Sequence, residues 1–184
     1  MDFLRTIILQ GKINWFLFKG DYNRAIPNLS ELLRLRKKRL GNRSIEDVPN
    51  LLLLAHCFHN SGNNSKFMGA IFIYMEAQEI ALNAESESKD LMLGKIAVGM
   101  GQWYAAGNHT REAEESFKAA IEAFSRCEGI HSLRLLEPLY GRIAALRQLG
   151  RKDEAEPLEK WTAQIEAAQR YMDQYAYHGH YPRF

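Results

Sequence analysis

Four glycines set the architecture of this chain. Gly20, Gly62, Gly107 and Gly150 stand 42, 45 and 43 residues apart. Each follows an aromatic residue or a leucine by three or four positions (Phe16, Phe58, Tyr104, Leu146), and each precedes a polar turn and then an alanine (Ala25, Ala70, Ala113, Ala155). Self-similarity at a period in this range marks a solenoid of stacked helix pairs, in which no single repeat can bury its apolar face alone. The turn at Gly62 is the irregular one, about three residues longer than the others.

The residue types explain the period. A glycine ends one helix cheaply in a left-handed conformation. Asn23 and Asp153, three residues after the first and last of these glycines, are of a type that caps the next helix. Pro27 and Pro157 follow, placed where a first turn tolerates proline. The alanines are small because two helices cross there. Between the glycines, apolar residues recur at three- and four-residue spacing, as in Ala113, Phe117, Ala120, Ile121 and Phe124. Sustained two-residue alternation and Asn-Gly or Asp-Gly hairpins are missing, so the expected class is all-α. The spacing predicts eight helices at about 3–19, 23–40, 46–60, 65–83, 88–106, 110–127, 132–149 and 154–175, with Pro138 kinking or delaying the seventh. They form one domain over residues 1–175, with repeats at about 3–40, 46–83, 88–127 and 132–175 and a tail at 176–184.

This pattern resembles the tetratricopeptide repeat (TPR), and its long period resembles the kinesin-light-chain-like or MalT-like type. The third repeat carries the likeness best: Met100-Gly101 fits the Leu-Gly pair, Tyr104 the aromatic position, and Ala113, Phe117 and Ala120 the small–aromatic–small positions of the second helix. The first repeat fits at Leu9, Phe16, Ala25, Leu29 and Leu32, and the fourth at Leu139, Ile143, Leu146 and Ala155. The resemblance implies an α-solenoid of about four antiparallel helix pairs in a right-handed superhelix. It also implies a concave groove lined by the first helix of each pair, where a peptide or partner helix binds.

In that register the groove is lined by Asn14, Phe18, Leu52, His56, His59, Lys95, Val98, Gln102, Tyr140, Ala144 and Arg147, a mixed and mildly apolar surface. The carboxylate clamp of some TPR domains carries over poorly. Its five positions fall on Gln10, Asn14, Leu53, Lys95 and Gly99, of which Asn14 and Lys95 match. An anionic terminus needs several converging donors to offset its desolvation. His56 and His59 share a helix face, yet a zinc site needs two more ligands and none is evident. No metal or cofactor is therefore expected.

Charge is divided along the chain. Residues 1–43 carry ten Lys/Arg against three Asp/Glu, while the net charge of the whole chain is only +2. The run Arg34, Arg36, Lys37, Lys38, Arg39 and Arg43 reads either as a patch for an acidic partner or nucleic acid, or as cations complementing the negative pole of the second helix. No aromatic interleaves the run, which disfavours nucleic acid. The first helix is unusually apolar for a terminal repeat, from Phe3 and Leu4 through Trp15 to Phe18. It needs cover from the second repeat, from another subunit in a homodimer, or from a membrane surface.

Phosphate-loop, dinucleotide, nucleophile-elbow and zinc-protease motifs are absent from the sequence, so catalysis is not expected. Two cysteines, Cys57 and Cys127, make no disulfide framework. The N-terminus lacks the features of an export signal and no apolar run reaches membrane-spanning length, which points to the cytoplasm. The expected function is a protein-interaction adaptor or scaffold. The alternative is a regulatory or sensor module whose superhelix responds to a bound peptide or small ligand.

Overall fold

A computed structural model describes residues 2–41 and 44–177. Among the described residues there are eight α-helices and no strand: α1 Asp2–Phe18, α2 Tyr22–Leu40, α3 Val48–His59, α4 Asn64–Leu82, α5 Lys89–Ala106, α6 Thr110–Glu128, α7 Leu136–Gln148 and α8 Lys152–Tyr177. Each helix packs on the next, and the first helices α3, α5 and α7 also touch in succession. The result is an all-α solenoid. No helix among the described residues is long and apolar enough to cross a membrane.

The core is a chain of local clusters, as stacking of pairs requires. Leu9 and Ile13 of α1 meet Ala25, Leu29, Leu32 and Leu35 of α2, which in turn cover Leu54 and Cys57 of α3. Ala77, Ile80 and Ala81 of α4 pack on Ile96 of α5. Ala120, Ile121 and Phe124 of α6 pack on Leu135 and Leu139 and on Ile165 of α8. Ala25, Ala70, Ala113 and Ala155 are all buried, as small residues at helix crossings. At about 25 cal/mol per Å² of apolar surface removed from water, such clusters are the main stabilising contribution.

All four marker glycines lie at turns. Gly20, Gly62 and Gly150 have φ of +67°, +70° and +75°. Gly107 differs: its φ is −85°, and the left-handed residue is its neighbour Asn108, at φ 61°. Asparagine tolerates that region because its short polar side chain bonds locally, so the third turn reaches the same end one residue later.

The caps also differ from the expectation. Asp21, not Asn23, caps α2, accepting from the Arg24 N–H at 3.1 Å. Asn23 instead ties pair one to pair two, donating to the Ser61 carbonyl at 3.1 Å and accepting from Lys66 Nζ at 2.6 Å. Asp153 lies inside the first turn of α8, where a carboxylate favours the positive pole. Pro27 and Pro157 each fall at the sixth helical residue, one turn deeper than expected, and each removes one intrahelical bond. Ahead of Pro138, a 3₁₀ turn at Leu133–Leu135 precedes α7, so the α-helix starts at Leu136 rather than near 132. A matching 3₁₀ turn at Ile45–Asp47 delays α3 to Val48.

Candidate functional site

The first helices α3, α5 and α7 converge on a cavity of about 490 Å³. His56, His59 and Asn60 close one side, Gln102 and Ala105 the middle, and Ala144, Ala145 and Gln148 the other side. The floor is the buried ring of Phe117 on α6, beside Ala113. Two glycines open the way to that ring. A Cβ on Gly101 would sit 2.7 Å from Phe117, and one on Gly141 would sit 2.5 Å from it. Side chains at those positions of α5 and α7 would displace the ring, so their absence lets an aromatic of the outer helix reach the inner face.

Histidines and amides supply the polar lining. Gln102 donates to Glu137 at 2.6 Å and Thr110 to Gln148 Oε1 at 3.2 Å, so each glutamine has one half of its amide committed. The His56 and His59 rings are held edge-on by Tyr22 and Phe67, with centroids 5.6 and 5.3 Å apart. Burial, and then the neighbouring His56, lowers the pKa of His59 below the ordinary histidine value. The imidazole is thus biased to its neutral form. No Lys, Arg, Asp or Glu lines the cavity. A wall of amides and imidazoles over an aromatic floor suits main-chain amides and an apolar side chain; no Lys or Arg stands in the lining to replace the water of an isolated carboxylate or phosphate.

Four of the eleven residues expected in the groove meet here: His56, His59, Gln102 and Ala144. Leu52 is half-buried between two core clusters. Lys95 is half-buried on α5 and lies outside the cavity, its charge felt at Glu128. Val98 is a correction. Only 8% exposed, it packs with Ala120, Ile121 and Phe124, because Gly94 one turn earlier lets the Phe124 ring close against α5. Tyr140 and Arg147 are exposed but turned to α8, where they bond Glu166 and Glu159. Asn14 and Phe18 are exposed on α1, away from the cavity. Reasoning from the sequence missed Thr110, Phe117, Gly141 and Gln148 among the lining residues, since Phe117 reads as the aromatic position of a second helix and the groove register on α7 falls on Tyr140, Ala144 and Arg147.

The basic run is not a uniform patch. Arg34 is bidentate to Glu31 at 2.7 and 2.9 Å. Arg36, with a side chain only 20% exposed, bonds the buried Asp47 carboxylate and the Glu46 carbonyl, and so clamps α2 to the turn before α3. Lys37, Lys38 and Arg39 occupy the exposed last turn of α2, where cations complement the helix pole. Arg43 lies outside the described residues, as do His178 and His180. Among the described residues no three His, Cys, Asp or Glu side chains converge to hold a metal ion.

No family model and no curated protein matches the sequence. Solved structures do match. The crystal structure of BtubC (BKLC) from P. vanneervenii superposes with a TM-score of 0.78 at 18% identity, over 100% of this chain and 68% of that one. The fold is a tetratricopeptide-type, kinesin-light-chain-like helical repeat. Here α3, α5 and α7 touch in succession around the cavity floored by Phe117.

Proposed function

We propose that this TPR-type chain is a non-catalytic adaptor that captures a segment of a partner protein in the cavity between α3, α5 and α7. The observation that carries the reading is the cavity's composition. Amide, imidazole and hydroxyl groups from α3, α5, α6 and α7 surround an apolar floor made by Ala113, Gly141 and the buried ring of Phe117. An extended or helical segment would place one apolar side chain against Gly141 and Ala144, over the Phe117 floor. Its neighbouring amides would bond Gln102, Gln148 and Asn60. Specificity then comes from shape and amide pairing rather than from charge.

Selection of peptides from a displayed random library tests this. Enriched peptides should share an apolar anchor flanked by uncharged residues. They should lose most of their affinity for Ala144→Trp, which fills the cavity from an exposed position. Failure to enrich any peptide, or equal binding to Ala144→Trp, would count against the groove.

A further inference from the structure

The outward faces of α1 and α4 form two apolar stripes of the same length. On α1, Leu4, Ile8, Gly11, Trp15 and Phe18 alternate at four- and three-residue steps, with Phe3 and Ile7 alongside. Every large apolar side chain in this set is more than half exposed, Phe18 by 81%. The residues that α1 buries, Leu9 and Ile13 with Phe16 and Leu17 partly covered, lie on its opposite side. On α4, Met68, Phe72, Met75, Glu79 and Leu82 follow the same steps, and Phe72 is 70% exposed. Each stripe runs over fifteen residues, about 21 Å of helix from first to last.

The other repeats show that the α4 stripe is not generic. Aligned on the crossing alanines, the positions of Met68, Phe72, Met75 and Leu82 hold Asn23, Pro27, Ser30 and Lys37 in the first repeat. In the third they hold Arg111, Glu115, Lys118 and Ser125, and in the fourth Asp153, Pro157, Lys160 and Ala167. Only α4 is apolar on that face, and contiguous exposed apolar surface of this kind marks an interaction site.

We propose that these two stripes cover each other between copies: α1 of one molecule lies along α4 of a second. Charge selects this partner. Arg5, Lys12 and Lys19 follow one edge of the α1 stripe and the turn after it at seven-residue intervals, Arg5 also bridging to Glu31 at 2.6 Å, while the acidic residues of α4, Glu76 and Glu79, lie on its exposed face. Pairing α1 with a second α1 would instead bring two basic helices together. Gly11 supplies an independent sign. The other helix-interior glycines, at 69, 94, 99, 101 and 141, each face an aromatic ring within the chain, whereas a Cβ on Gly11 would meet nothing within 4 Å. Glycine in mid-helix is unfavourable against alanine, and nothing in the monomer uses the space. Opposite a four-plus-three stripe of equal length, Gly11 faces Met75 whether the helices run parallel or antiparallel, a small residue against a long one.

Light scattering of the full chain over a range of concentrations should give a mass above that of the monomer. Ile8→Glu and Phe72→Glu should each reduce it to the monomer mass with an unchanged circular-dichroism melt, both positions being exposed. Mixing these two variants is the deciding step. One retains an intact α4 and the other an intact α1, so together they should form a 1:1 complex that neither forms alone. Gly11→Leu should weaken association at least tenfold while raising the melting temperature of the monomer. A wild-type monomer at every concentration would overturn the proposal, as would association abolished by Ile8→Glu but untouched by Phe72→Glu. Co-sedimentation of a non-associating wild-type chain with phosphatidylserine vesicles would assign α1 to a membrane surface instead.

Discussion

Trp103 lies against Phe67 with ring centroids 5.3 Å apart and planes 21° from parallel, and its indole N–H donates to the Phe67 carbonyl at 2.7 Å. The contact fastens α5 to the start of α4, so one repeat is locked to the next by a stack and a hydrogen bond together. The edge of Phe67 then supports His59. The wall of the cavity is therefore set by a pair that does not itself line it.

Trp103→Phe keeps a ring in that place but removes the donor and part of the volume. It should cost about 2 kcal/mol in a urea unfolding experiment. Trp103→Ala should cost roughly 3–5 kcal/mol. Equal stability of Trp103→Phe and wild type would show that the hydrogen bond contributes nothing net.

Glycine substitutions should separate packing from turn geometry. Gly141→Ala puts a methyl 2.5 Å from Phe117 Cζ and should destabilise by roughly 1–3 kcal/mol through overpacking. Gly107→Ala should be milder, because its φ is −85° and the nearest contact is the movable ring of His109 at 3.0 Å. Thermal melts of the two variants side by side check the order; the reverse order would place the close approach elsewhere.

Glu114 is buried on α6 and is held by Arg142 at 2.8 Å and Arg151 at 3.4 Å. Arg142→Met leaves a buried carboxylate with only its weaker partner, and should cost about 3 kcal/mol. Adding Glu114→Leu should recover much of that loss, since paired apolar replacements of buried ion pairs are often near neutral. A double-mutant cycle reads both numbers.

The depressed pKa of His59 gives a pH dependence of defined sign. The unfolded chain takes up a proton at that histidine near pH 6.5, before the folded chain does. The contribution of neutral His59 is therefore complete above about pH 6.5 and declines as the pH falls below it. Wild type should lose melting temperature from pH 7 to 5.5 more steeply than His59→Gln does. Parallel curves would mean that other groups govern the acid limb.

The fold was largely legible because its punctuation is local. A glycine needing positive φ at 20, 62 and 150, and an alanine at each crossing, can be read from neighbouring residues. The cavity was less so because it depends on contacts between repeats. Val98 has the register of a groove residue, but Gly94 lets the Phe124 ring close over that stretch of α5. Phe117 reads as core, and is buried; that it also floors the cavity follows from Gly101 and Gly141, forty residues apart, which make room for its ring between α5 and α7. Arg36 reads as one cation in a run until Asp47, eleven positions on, is brought beneath it. In each case the deciding partner lies on another helix or turn, at a distance that periodicity within one helix does not encode.

The most direct test of the central claim is site-specific photo-crosslinking in the native host. A benzophenone side chain would be placed at Ala144 or Gln102 in the cavity, or at Glu115 on the exposed face of α6. The groove reading predicts one discrete adduct from both cavity positions, lost when Gly141→Leu is added, and none from Glu115. The same adduct from Glu115, or none from the cavity positions, would contradict it and move the interaction site to the outer surface.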